Sequence, residues 1–416
     1  MVSRQEPPPP PPPPPPAEPA PTTLFDLGED LLLEILLLLP SLPSLVRAAF
    51  ACRTFLHAVR SSPAFRRRFR ALHPPPLLGL YFDPDGAGIP AFAPLRRRSD
   101  PDLRAAVRRA DFFLTGLPDD DDHSPGWVIS DCHDGYLILG NCTTGQVAAY
   151  NPLTQALDLI PRPPADFYDG FRGFYDFLDY HIISPEEDDG VFHVIFACYD
   201  ESRVRAAAFC SDTGAWQVFP WFEALTTPQP ADQHWLTVGE MVNGFVYWIY
   251  AGEAAMLVLN TTTLQFSKVD LPPDLEGQTH MFMVGKTKDG GLCIVVTIGF
   301  ELHIWLRKTS DDDGIEKWVN THAIGLQNIV EQTGGTLEEH ARLKVVAVVD
   351  GFVYFSTFET FRDGMVPCWF FSLDLETSVF DILFQRRSDG HIHPYIMPWP
   401  TSLIRDKACL QVEGVS

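Results

Sequence analysis

DGYLILGNCTTGQVAAYNPLT at residues 134–154, NGFVYWIYAGEAAMLVLNTTT at 243–263, and DGFVYFS at 350–356 with LDLET at 373–377 are three copies of one pattern. Gly135, Gly244 and Gly351 recur 109 and 107 residues apart. From glycine to the next turn residue is 16 positions to Asn151 and to Asn260, and 23 to Asp374, a difference that fits a longer loop between strands. Asp-Gly or Asn-Gly supplies the positive backbone angles of a tight hairpin, and Asn or Asp with Thr three positions later bonds its own backbone in the next turn. Each copy therefore predicts one small antiparallel sheet. A second type of block alternates with it: residues 193–216, closing Asp212-Thr213-Gly214-Ala215-Trp216, and residues 292–318, closing Asp313-Gly314 and Trp318. Five blocks are legible, and a sixth is assembled from residues 77–117 and a terminal strand at 403–412. Strand blocks repeated with no helices between them hide their edges by radial closure. The pattern predicts a mainly β chain with a six-bladed β-propeller; a pair of β-sandwiches is the structural alternative.

Upstream, residues 27–40 read LGEDLLLEILLLLP. Asp26 or Gly28 caps a helix, Glu29 and Asp30 stand in its first turn where the helix dipole favours acid, and Pro40 ends it. Leu31, Leu32, Ile35, Leu36 and Leu39 fall at helical spacing, but Leu33, Leu37 and Leu38 fill the opposite face. Such a helix needs apolar neighbours on both sides. A second periodic stretch, residues 45–59, follows a turn at Pro43 and buries Leu45, Ala48, Ala49, Cys52, Phe55 and Leu56. So small a helical unit buries too little to stand alone, which implies a partner.

Leu27, Leu31, Leu32, Glu34, Ile35, Leu36, Leu39, Pro40, Leu45, Arg47, Cys52 and Arg53 match the order of residues in an F-box, which this segment resembles over residues 27–69. Gly28 stands where the family has proline, and Phe55 where it has tryptophan. The resemblance implies docking on a Skp-type adaptor, and through it on a cullin scaffold, by Leu27, Leu31, Leu32, Ile35, Leu36, Leu39, Pro40, Leu45, Arg47, Cys52, Arg53 and Phe55. Residues 77–412 are likewise similar to the kelch-related F-box-associated propeller of a large plant family. Together these imply three parts: a disordered proline-rich tail (1–23), an all-α F-box domain (24–75) and a substrate-recognition propeller (77–412).

The tail carries an unbroken proline run, Pro7 to Pro16, which favours an extended rod and reads as a solvated spacer, with a ligand for a proline-binding module as the alternative. No segment reads as a signal peptide or membrane span, so a soluble intracellular protein of cytoplasm or nucleus is expected. Eight cysteines without a C-x-x-C pair read as reduced thiols. Charge is divided: residues 41–109 carry 13 Arg and 4 Asp, whereas residues 110–416 carry 17 basic and 44 acidic groups, a net of −27. That acidic body disfavours nucleic acid, and the arginines at 66–68 and 96–98 lack interleaved stacking rings.

No P-loop, G-x-S-x-G, H-E-x-x-H or dinucleotide fingerprint occurs. His391 and His393 fall short of a catalytic zinc set, and the acidic runs 119–122, 186–189 and 311–313 lack the alternating spacing of a calcium loop. No metal or cofactor is expected. Two function classes follow. One is a non-catalytic substrate receptor of a Skp-cullin-F-box ubiquitin ligase, acting by proximity on a bound protein. The other is a propeller enzyme or sugar-binding lectin, which requires convergent ionisable groups in the channel mouth. For the receptor, a basic or mixed client surface is expected to meet acidic loops and the rings of Phe167, Tyr168, Phe171, Phe174 and Tyr175.

Overall fold

The computed structural model describes residues 28–83, 88–95, 100–118, 126–183, 191–226, 229, 234–237, 239–250, 254–275, 282–309, 316–333, 343–357, 360–361, 365–387 and 391–404. Outside them lie the proline run, Asp26, Leu27, the arginines at 96–98, the three acidic runs and all but the start of the expected terminal strand.

Asp134 and Gly135 have φ of 47° and 80°, Asn243 and Gly244 52° and 77°, Asp350 and Gly351 49° and 81°. Two successive left-handed residues form the hairpin turn whose twist matches that of its strands. At the far end of each copy, Asn151 accepts from the backbone N–H of Leu153 and Thr154 (3.1 and 3.2 Å). Asn260 does the same for Thr262 and Thr263 (2.9 and 3.0 Å), and Asp374 for Glu376 and Thr377 (2.9 and 3.0 Å).

Five antiparallel meanders of four strands result. Blade 1 is Trp127–His133, Tyr136–Asn141, Val147–Asn151 and Ala156–Ile160; blade 2 is Asp176–Ile183, His193–Tyr199, Arg203–Cys210 and Ala215–Val218. Blade 3 is Glu240–Val242, Phe245–Ile249, Ala255–Asn260 and Phe266–Asp270; blade 4 is Phe282–Lys286, Leu292–Ile298, Glu301–Thr309 and Glu316–Gly325. Blade 5 is Leu343–Val349, Phe352–Thr357, Cys368–Asp374 and Phe380–Arg386. Blade 6 has three strands, Ile392–Ile396 innermost, then Leu77–Phe82, then Ala91–Pro94. Strand Ile392–Ile396 touches the first strands of blades 5 and 1, which closes the ring. The fold is a six-bladed β-propeller, and the sandwich alternative is set aside.

The sequence reading places the closing strand at 403–412, and that is corrected. Residues 401–403 form a single 3-10 turn, with Leu403 buried among the N-terminal helices. The alternation of Ile392, Pro394 and Ile396 with His393 and Tyr395 hides the true strand, because proline at an edge-facing position masks a strand signal. Tyr395 is fully buried, and its hydroxyl donates to the Gly135 carbonyl at 2.8 Å.

The core is laid down between blades. Ile195, Ala197 and Val204 of blade 2 pack on Val246, Trp248 and Leu257 of blade 3; Val295 and Ile304 of blade 4 pack on Val353 and Phe355 of blade 5. The tryptophans that mark the alternate blocks staple neighbours together. Trp216 Nε1 donates to the Pro161 carbonyl after blade 1 (2.9 Å), and Trp318 Nε1 to the Asp270 carbonyl at the end of blade 3 (2.8 Å).

Ahead of the propeller lie α1 (Glu29–Leu37), α2 (Leu42–Ala51), α3 (Arg53–Ser61) and α4 (Pro63–Leu72). Glu29 and Asp30 occupy the first turn of α1, and Gly28 stands at its N-cap without a side-chain cap. The single helix read over 45–59 is in fact two. Cys52, extended at φ −152° and ψ 158°, breaks the chain and accepts from Phe55 N–H through its sulfur (3.4 Å). Pro43 sits inside the first turn of α2, where its missing N–H costs nothing. Two further helices interrupt the propeller: α5 (Pro101–Arg109), capped by Asp100, and α6 (Asn328–Thr333). Neither was legible as a break in the strand pattern.

The helical unit is seated on the end of the propeller that carries the Asp134-Gly135 turn. Pro398 covers Gly135, Trp399 stacks edge-on to Phe69 with centroids 6.0 Å apart, and Arg60 donates to the Ser402 carbonyl (2.8 and 3.0 Å). Arg47 bridges to Asp102 (2.6 Å) and Asp100 (3.0 Å) at the start of α5.

Candidate functional site

On α1, Leu32, Leu36 and Leu37 are buried with Leu45 and Ala49 of α2, whereas Leu31, Ile35 and Leu38 are 58%, 41% and 82% exposed. Positions 31 and 35 and the C-cap Leu38 lie on one stripe, so the exposed side chains form a continuous apolar face. Phe50 on α2 is exposed as well. Among the residues expected to contact an adaptor, Leu32, Leu36 and Leu45 thus form the unit's own core, and Cys52 is a cap. Leu39 and Phe55 are half-buried, Pro40 and Arg53 exposed, and Leu27 lies outside the described residues. Arg47 is engaged with the propeller. A helix with leucines on both sides does not reveal which side turns inward, and only packing decides it.

At the other end of the propeller, four-strand connectivity places the passage from blade 1 to blade 2. One 3-10 turn, Ala165–Tyr168, drives Phe167 into the core against Phe196, Cys198 and Ala207. Phe167 was expected among the exposed rings and is corrected to a core residue. Arg205 clamps the turn by donating to the carbonyls of Asp166, Phe167 and Asp169 (2.8, 3.0 and 3.2 Å). Outside this floor the rings touch: Phe171 with Tyr175 at 4.7 Å, Tyr175 with Phe177 at 5.7 Å, and Tyr168 with Phe177 at 6.1 Å between centroids. Phe171, Phe174 and Phe177 are 44%, 49% and 49% exposed, and Tyr168 and Tyr175 are half-buried. Phe177, on the first strand of blade 2, was missed because the block was read as beginning at residue 193, after that strand. A shallow cavity of about 490 Å³ lies beside this passage, lined by Pro118, Asn141, Thr144, Gln146, Ile160, Pro161 and Arg162.

Between the two ends, the inner strands bring together four ionisable groups that motif reading did not collect. His181 is buried, with Nε2 2.9 Å from Asp179 Oδ1 and Nδ1 3.8 Å from Asp131 Oδ2, contacts of charge without hydrogen-bond alignment. Asp179 is further bound by Gly239 N–H (2.6 Å) and Trp248 Nε1 (2.9 Å), and Asp131 by Ile182 N–H (2.9 Å). Burial pulls the His181 imidazolium toward neutrality, but Asp179 and Asp131 outweigh it and hold its pKa up at about 10. Burial, and then the charge of Asp131, raise the Glu240 carboxyl to about 8. One signal was available: Asp131 and Glu240 each stand three residues before the turn pair of their repeat, Asp134 and Asn243.

Residues 128–403 match the family described as F-box protein AT5G49610-like, beta-propeller. This chain belongs to that family. No curated protein matches it. Three solved structures are similar at low identity. The nidogen/laminin complex is 14% identical over 76% of this chain and 96% of that one, with a TM-score of 0.37. An oligogalacturonate lyase in complex with manganese is 10% identical over 65% and 67%, TM-score 0.36. A luciferin-regenerating enzyme is 8% identical over 65% and 80%, TM-score 0.31. None of the three bears on function.

In this F-box protein, among the described residues, no helix is long and apolar enough to cross a membrane, and no cluster of His, Cys, Asp or Glu is arranged to hold a metal. His393 faces Asp83 (3.4 Å), and His391 precedes the strand. The channel cluster predicts a pH dependence. Glu240 has a folded pKa of about 8, above the roughly 4.3 of an unfolded chain, so its contribution is whole below the unfolded value and lost as pH rises through 8. Glu240→Gln is expected to match the wild type near pH 4 and to exceed it increasingly as pH rises toward 8, by on the order of a few kcal/mol. Denaturant melts at both pH values check this, and equal stability of the two proteins at high pH would refute it.

Proposed function

We propose that this protein is the substrate-receptor subunit of a Skp-cullin-F-box ubiquitin ligase. In this reading the helical unit docks on a Skp-type adaptor, and through it on a cullin scaffold, while the propeller presents a bound protein for ubiquitination. The observation that carries the proposal is the stripe of Leu31, Ile35 and Leu38, which the chain's own propeller leaves uncovered. Three large aliphatic side chains held in water on a rigid helix are a surface made for an apolar partner. The receptor does no bond-making itself. Its contribution is to raise the local concentration of an acceptor lysine beside a charged ubiquitin-conjugating enzyme.

The alternative, an enzyme or lectin working in the channel, would start from Asp131, Asp179, His181 and Glu240. Asp131, Asp179 and His181 are directed at one another and at Trp248 and Gly239, and the cavity beside blade 1 includes none of the four.

Leu31→Asp with Ile35→Asp is expected to abolish capture of the Skp-type adaptor in co-precipitation. Each carboxylate buried in the interface would cost several kcal/mol, while the melting temperature of the chain should hold within about 2 °C because both sites are exposed. Leu32→Asp should instead melt the helical unit, since that side chain is core. Undiminished capture by the exposed double variant would refute the docking face.

A further inference from the structure

The aromatic end of the propeller carries more than apolar surface. The passage from blade 1 to blade 2 carries Asp166 and Asp169 just ahead of the exposed rings of Phe171, Phe174 and Phe177, and Glu201 reaches it at Gly173. Asp166 and Asp169 are exposed, and Glu201 lies against the Gly173 backbone, between Phe171 and Phe174 in sequence. Gly173 has φ +59° and leaves the space that the Glu201 carboxylate fills; a Cβ there would come within 2.6 Å of its Oε2.

Of the cations nearby, Arg172 and Arg203 are paired with carboxylates, whereas Arg205 and Arg162 bond backbone carbonyls and keep their charge. Arg172 pairs with Glu223 (3.0 Å), Arg203 with Asp200 (2.5 Å), and Arg205 spends its guanidinium on backbone carbonyls. Among the described residues, Asp166, Asp169 and Glu201 form no ion pair. The patch thus combines bare ring surface with an excess of carboxylates over free cations, inside a region whose formal net charge over residues 110–416 is −27.

We propose that this surface binds a basic segment of a client protein, one that carries Arg or Lys next to an aliphatic or aromatic residue. Guanidinium and ammonium groups are attracted to ring faces and to carboxylates alike, so one partner side chain answers both features. The rings supply the desolvated anchor and the acids select the sign of charge and speed encounter. Nucleic acid carries the wrong charge for this surface. The inference rests on the receptor reading, and it names the class of client that reading leaves open. Its position follows from the fold: the passage from blade 1 to blade 2 opens on the end opposite the Asp134-Gly135 turn, where the helical unit sits, so a bound client does not compete with the adaptor.

The test uses the full chain on an array of immobilised peptides of about 15 residues, with net charge from about −4 to about +4 and with or without an apolar residue. Basic peptides with an apolar residue should be retained at least about ten-fold above neutral or acidic ones at about 0.1 M salt, with retention falling as salt rises. Phe171→Ala with Phe174→Ala should lower retention about ten-fold. Asp169→Asn with Glu201→Gln should remove the preference for positive charge, and this second variant decides the matter if the first lowers the melting temperature. Retention of acidic peptides equal to basic ones, retention unchanged in both variants, or retention of no peptide would overturn the proposal. So would a concentration-dependent dimer lost in the Phe171, Phe174 variant, which would give the patch to a second copy of the chain. Adaptor capture is measured on the same proteins. A flat peptide profile with adaptor captured sinks this inference alone, and the expected profile with no adaptor captured sinks the ligase role alone.

Discussion

A chain ended at residue 390 is expected to aggregate rather than to lose stability mildly. The deletion removes Ile392–Ile396, the innermost strand of blade 6, and leaves both Leu77–Phe82 and the neighbouring first strands of blades 5 and 1 without the strand they pack against. Tyr395 is fully buried among Tyr81, Phe92 and Phe112. Each such side chain contributes roughly 1.5–3 kcal/mol, and the ladder to Leu77–Phe82 is lost as well, which together rival the 5–15 kcal/mol or so that holds a whole domain. An unpaired edge is also a template for association. A chain ended at residue 397 separates the two roles of this region. It keeps the closing strand but loses Trp399 and Leu403, so the propeller should melt cooperatively while the helical unit loosens. Size-exclusion chromatography and thermal melts of the two truncations check this. A soluble, cooperatively melting product ending at 390 would show that the ring does not depend on that strand.

His181→Leu is expected to cost about 3–5 kcal/mol, because it strips the cation from between two buried carboxylates and leaves Asp131 facing Asp179 uncompensated. For a domain of this size the melting temperature should fall by roughly 10 °C. Adding Asp131→Asn should return part of the loss. The sign with pH follows from the same geometry: the folded pKa of His181, about 10, lies above the roughly 6.5 of an unfolded histidine. Its contribution is therefore complete below about pH 6.5 and lost as pH rises through 10, so the gap between wild type and variant should narrow in alkali. Chemical denaturation from pH 6 to 10 measures it. A loss under about 1 kcal/mol at neutral pH would show that the imidazolium does not hold blades 1 and 2 together.

Spacing and turn chemistry alone determined the propeller. Asp134-Gly135, Asn243-Gly244 and Asp350-Gly351 demand positive φ, Asn151, Asn260 and Asp374 cap the next turn, and these are local requirements that a chain states wherever it folds. The tryptophans of the alternate blocks were legible as marks of each block's end, but their bonds to the neighbouring blade were not. The helical unit was legible as helices, and its resemblance carried the likeness to an F-box. What only the tertiary structure decided concerns faces and partners. Leu31 and Leu32 are chemically identical, and which one meets water depends on where α2 and Leu403 pack. Phe167 and Phe171 sit four residues apart, and a single 3-10 turn clamped by Arg205 sends one inward and leaves the other out. The closing strand could not be found from its own residues, because Ile392–Ile396 is a strand only through pairing with Leu77–Phe82, more than 300 residues earlier in the chain. The Asp131, Asp179, His181 and Glu240 cluster has the same origin. Each residue is unremarked in its own strand, and the closure of the ring brings three blades close enough for their charges to set one another's protonation.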